Sequence, residues 1–99
     1  MYYQQGDVLL EVVPTVEGEK ISHNGVLAEG EVTGHTHRIA DLTGLAFYEK
    51  DGVLFLQAPK SFSVVHEEHK VIDVPMGTYR VRKVLEYDHF LEESRSVRD

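Results

Sequence analysis

Cysteine is absent from the 99-residue chain. That removes a disulfide framework and every thiolate metal site, including the zinc knots built on cysteine pairs. A metal held here would have nitrogen and oxygen ligands only, which suits zinc, iron, nickel or manganese better than copper(I) or an iron–sulfur cluster. Positive charge is also scarce: ten Lys and Arg stand against seventeen Asp and Glu, for a formal net charge of −7. Nucleic-acid affinity comes largely from neutralising phosphates. The one cluster of cations, Arg80, Arg82 and Lys83, reads as a solvated sheet face, so no nucleic-acid partner is expected. No apolar run is long enough to span a bilayer, so no membrane partner is expected either. Residues 1–6, MYYQQG, lack the basic and apolar regions of a secretory signal, and the expectation is a cytoplasmic protein.

Apolar residues make up 41% of the chain, enough for one packed core and too many for a disordered chain. The reading is a single all-β domain over residues 1–99, with 88–99 as a polar C-terminal tail. Asp7–Val13 is β-branched and apolar and is stopped by Pro14. Asn24-Gly25, between extended segments, predicts a type I′ hairpin, and Asp51-Gly52 predicts another between Leu45–Glu49 and Val53–Leu56. The strand from Val53 is apolar on both faces, as a central strand is. His23, beside the first turn, is expected to be an exposed polar residue. Ser61–His66, Val71–Val74 and Thr78–Tyr87 complete the pattern. About eight short strands, frequent glycine turns and no convincing helix predict a small β-barrel or β-sandwich.

The histidines carry the chemistry. Four of the six fall into two clusters, His35-x-His37 and His66-x-x-His69. Side chains alternate along a strand, so His35, His37 and Ile39 share one face, and Phe62, Val64 and His66 share another. Each apolar face therefore runs into an imidazole, and both clusters are expected to look into one interior. Val26, Ala28 and Val32 lie on the opposite phase from His35 and His37, which predicts a register shift at Thr33-Gly34. A metal needs three or four such groups around one ion. His35, His37 and His66 are the expected ligands of a divalent transition metal, with His69 or Glu68 completing the shell. If one position stays open, Glu68 is the candidate general base for a bound water or a small-molecule ligand. Other chemistries find less support: no nucleophile elbow surrounds Ser61, Ser63 or Ser94, and Gly30 and Gly34 precede a strand, not a phosphate-binding helix. The alternative is a non-enzymatic accessory module whose edge strands allow homo-oligomers.

Two resemblances follow from these blocks. Gly30–His37, a glycine followed by His-x-His in a β-domain, resembles the first metal motif of the cupins. That resemblance implies a jelly-roll-like barrel holding iron, manganese, nickel or zinc with three histidines and a carboxylate. Asp41, four residues after His37, stands where the carboxylate would be. The wider set is Gln5–Leu10, Leu27–His37 with its Gly-His-Thr-His motif, His66-Glu67-Glu68-His69, Pro75–Tyr79 and Glu86–Asp88. It resembles a group of small uncharacterised bacterial and phage proteins. It implies that the two histidine clusters act as one unit, and it names no reaction.

Overall fold

The computed structural model describes residues 1–29 and 35–83. Ten strands follow one another: β1 (Tyr2–Gln5), β2 (Val8–Val12), β3 (Glu19–Ile21), β4 (Val26–Glu29), β5 (Thr36–Ile39), β6 (Ala46–Lys50), β7 (Val53–Ala58), β8 (Phe62–Val65), β9 (Ile72–Val74) and β10 (Gly77–Lys83). They form a six-stranded sheet in the order β1-β2-β10-β7-β6-β3 and a four-stranded sheet in the order β4-β5-β8-β9. Each described pairing is antiparallel. Among the described residues no helix is long and apolar enough to cross a membrane.

The inner faces of both sheets supply one core. Leu10, Phe47, Leu56, Ala58 and Tyr79 come from the larger sheet, and Ile39, Phe62, Val64 and Val74 from the smaller. This is a sandwich-like packing and not the closed barrel that the strand count also allowed. Closure needs an unbroken hydrogen-bonded ring. Among the described residues the outer strands β1, β3, β4 and β9 are not joined to one another. The chain instead passes between sheets through short links at residues 22–25, 40–45, 59–61 and 75–76, and each crossing divides the strands into two stacks.

The two predicted hairpins part company here. Asp51 and Gly52 both have positive φ, 52° and 80°, and join β6 to β7 with Lys50 opposite Val53, the geometry of a type I′ turn. β7 lies between β10 and β6, so its two apolar faces fit its central place. Asn24-Gly25 makes no hairpin: β3 pairs with β6, whereas β4 pairs with β5 in the other sheet. Gly25 has a φ of 86° and Asn24 has no positive φ. Asn24 Oδ1 instead accepts the Val26 N–H at 3.0 Å, an Asx turn that redirects the chain between layers. His23 is half-buried rather than exposed, stacked on Phe47 with ring centroids 4.6 Å apart.

β4 carries a register shift between Val26 and Ala28, opposite Arg38 and His37. The shift expected at Thr33-Gly34 lies outside the described residues, as do residues 84–87 of the expected last strand and the tail 88–99. On the outer face of the larger sheet Arg80 pairs with Glu11, its Nε 2.9 Å from Oε1, and Arg82 reaches the same oxygen at 3.9 Å. The clustered cations therefore face a carboxylate.

A second two-residue hairpin, unread in the sequence, joins β1 to β2. Gln5 pairs with Val8, leaving Gly6 and Asp7 as the loop. Gly6 has a φ of 57° and Asp7 no positive φ, the pattern of a type II′ turn with glycine first. This turn lies at the seam between the sheets, where β1 approaches β9.

Candidate functional site

Three histidines converge at that seam. His37, on the inner face of β5, is 2% exposed. His66 follows the last residue of β8 and continues the face of Phe62 and Val64, and His69 lies three residues on. The ring centroids of His37 and His66 are 4.3 Å apart, those of His66 and His69 4.6 Å, and those of His37 and His69 5.5 Å. One ring nitrogen from each can be chosen so that all three lie within 4.8 Å of one another. Two ligands on one ion with bonds of about 2.0–2.1 Å sit roughly 2.9 Å apart in an octahedron and 3.3 Å apart in a tetrahedron. The widest pair must therefore draw in by at most about 1.5 Å for a tetrahedral shell or about 1.9 Å for an octahedral one, a matter of side-chain rotation.

The tautomer of His37 is set by a residue from the other sheet. Gln5, 1% exposed on β1, donates both amide hydrogens: Nε2 is 2.9 Å from the Val64 carbonyl and 2.8 Å from the Lys70 carbonyl. With both hydrogens engaged, its Oε1 is the acceptor, and His37 Nδ1, 2.9 Å away, carries the proton. The lone pair is then on Nε2. An imidazole whose second nitrogen is tied in this way is what metal centres commonly use to orient a ligand. Gln5 also fixes the end of β8 and the segment leading to β9, so it braces two of the three histidine-bearing stretches at once.

His37 Nε2 faces the Asp7 carboxylate, 3.3 Å from Oδ1. The other oxygen of Asp7 is 3.7 Å from Lys83 Nζ. Between Gln5 and Asp7, Gly6 brings bare backbone onto the histidines. A Cβ placed there would be 2.8 Å from His69 Nε2 and 3.0 Å from His37 Cε1, so the close approach requires glycine. Gln4, fully buried on the preceding position, holds the turn from behind by donating Nε2 to the Gly6 carbonyl at 2.7 Å.

His66 differs from His37. Its Nδ1 accepts the Glu68 N–H at 3.0 Å, which places the proton of the neutral ring on Nε2. Ligation through Nε2 would require that proton to move to Nδ1 and the Glu68 contact to break. Ligation through Nδ1 would require only that the Glu68 amide let go.

The remaining sequence candidates fall around this triplet. His35 lies at its edge, its ring centroid 5.8 Å from that of His66, and its Nδ1 is 3.7 Å from Glu68 Oε1. The Glu68 side chain is 65% exposed and stands beside His35. Glu67 accepts the Thr36 N–H at 3.0 Å and lies 3.5 Å from Arg38. The Thr36 amide above all, with Arg38 and His35 helping, holds its carboxyl below the usual range. Asp41 is occupied elsewhere: Oδ1 accepts the Thr43 N–H at 2.9 Å, and Oδ2 is 3.9 Å from Lys60. Two groups that shape the site, Gln5 and Asp7, were not among the sequence candidates. The signals were present: a glycine-first dipeptide between Tyr2-Tyr3 and a β-branched run, and its place in the block Gln5–Leu10.

A family model described as Domain of unknown function (DUF8820) matches residues 4–84. That span takes in the β1–β2 turn and all four clustered histidines. No curated protein and no solved structure matches the chain.

Proposed function

The chain belongs to the DUF8820 family, whose description is silent on chemistry, and from the site's own residues we propose that this domain binds one divalent transition metal ion. His37, His66 and His69 are the ligands, and Gln5 orients the first of them. The supporting observation is the buried His37–Gln5 hydrogen bond, which leaves the lone pair on Nε2 of a ring that lies beside two further imidazoles. Burying an imidazole beside two others costs desolvation. A common cation offsets that cost. The donor set is nitrogen-rich and free of sulfur, which suits zinc, iron, nickel or manganese.

The metal side of the reading is the one the cupin resemblance implied, here on two stacked sheets. His35 and Glu68 stand on the solvent side of the triplet, and a small-molecule ligand would reach the ion from there. The test is elemental analysis of protein purified without an affinity tag and then offered zinc, iron, nickel or manganese. About one equivalent should be retained after desalting, and a His37→Ala/His66→Ala variant should lose it. Retention below roughly 0.2 equivalents by the unaltered chain for every one of these metals would end the proposal.

A further inference from the structure

We infer that Asp7 is the fourth protein ligand of this centre, contributed by the larger sheet through the β1–β2 turn. The inference rests on the three-histidine reading above. It begins from the contact between His37 and Asp7. With Nδ1 of His37 donating to Gln5, the neutral ring presents its lone pair at Nε2, and that nitrogen is 3.3 Å from Asp7 Oδ1. A carboxylate oxygen and an imidazole lone pair repel unless a cation or proton lies between them. The separation equals the edge of a tetrahedral shell with bonds of about 2.0–2.1 Å. It is therefore the spacing that two ligands of one ion adopt without further movement.

Three neighbouring features fit the same assignment. Lys83 Nζ lies 3.7 Å from Oδ2 while Oδ1 faces His37, an arrangement that suits binding through the one oxygen. Gly6 lets the turn approach until only the space of a missing Cβ separates it from the His37 and His69 rings, bringing the following residue to the histidines. Gln4 and Gln5 both hold that hairpin in place from buried positions. The resulting shell is three imidazoles from the smaller sheet and its β8–β9 connection, with one carboxylate from the larger sheet. The ion would join the two layers of the sandwich at one point.

The competing account is a buried imidazolium, with His37 protonated on both nitrogens and paired to Asp7. Cobalt(II) separates the two, because its visible d–d absorption reports coordination number and ligand type. The full-length, tag-free chain is titrated with Co²⁺ alongside Asp7→Asn, Asp7→Ala and His37→Ala. Asparagine suits turn positions, and circular dichroism in chelator establishes that each variant is folded. The fourth-ligand assignment expects both Asp7 variants to bind Co²⁺ at least about tenfold more weakly, with an altered absorption spectrum. Folded Asp7 variants that keep both the affinity and the spectrum of the unaltered chain would overturn it while leaving the three-histidine centre standing. An unaltered chain that takes up no Co²⁺ would overturn both together.

Discussion

Gly6 and Gly52 both sit at left-handed φ, 57° and 80°, yet only Gly6 has a neighbour for a side chain to meet. Alanine at either position incurs the backbone penalty of that region, on the order of 1 kcal/mol. At Gly52 nothing lies within 4 Å of the added carbon, whereas at Gly6 it would meet His69 Nε2 at 2.8 Å and His37 Cε1 at 3.0 Å. Both contacts are with histidine rings of the site, His69 half-buried and His37 held by Gln5. The damage should therefore fall on the site more than on the fold. Gly6→Ala and Gly52→Ala are expected to lose similar stability in urea denaturation, about 1–2 kcal/mol each. Only Gly6→Ala should weaken metal binding, by at least about tenfold in a competitive titration against a chromophoric chelator. Equal metal affinities in the two variants would mean that the histidines do not need the space Gly6 leaves.

Among the elements, the link at residues 22–25 shows what sequence pattern can and cannot supply. Asp51-Gly52 was legible because its turn is satisfied locally by two positive φ angles between adjacent paired strands. Asn24-Gly25 has the same character in sequence, but β3 and β4 find partners in different sheets, and no local rule announces that choice. The site divides in the same way. The inward faces of His37 and His66 followed from alternation along β5 and β8. Gln5 and Asp7 reach His37 from 32 and 30 positions earlier in the chain, a meeting fixed only by how the sheets stack. The link also carries a titration. His23 Nδ1 accepts the Gly25 N–H at 2.9 Å while the ring lies against Phe47. Burial lowers the pKa of this histidine, and the carboxylate of Glu49 opposes that only in part. Because the folded pKa lies below the unfolded one, the unfolded chain takes up the proton first as pH falls. The contribution to stability is complete above the ordinary histidine range and is lost as pH drops through the folded value. Thermal melts in chelator from pH 7.5 to 5 should show a steeper loss for the unaltered chain than for His23→Gln. Parallel curves would remove His23 from the acid response.

At the scale of the whole molecule, the proposed metal centre would hold together by different means the same two layers that the core joins. The core joins them through apolar contact, with Leu56, Val64 and Val74 fully buried at its centre. The proposed centre would join them at the seam, where Gln5 already bonds across to Val64 and Lys70. An ion bound only by the folded arrangement stabilises it by mass action, about 2.7 kcal/mol when free metal is a hundred times the dissociation constant. For a domain of this length each kcal/mol moves the melting temperature by roughly 4–8 °C, so a rise of about 10–20 °C is the upper expectation. The unfolded chain keeps all six histidines and binds some metal itself, which lowers the rise below that bound. The net charge of −7 also attracts any divalent cation loosely to the surface, an effect that salt screens. Zinc and calcium at equal concentration in 0.15 M salt separate the two contributions, because calcium prefers oxygen ligands and gains little from imidazoles. Zinc should raise the melting temperature by several degrees, reversibly with chelator, while calcium leaves it within about a degree. The His37→Ala/His66→Ala variant should lose the zinc response entirely, and Asp7→Asn should retain only part of it. An equal response to both cations, or one that survives the double variant, would assign the stabilisation to surface charge and not to a centre at the seam.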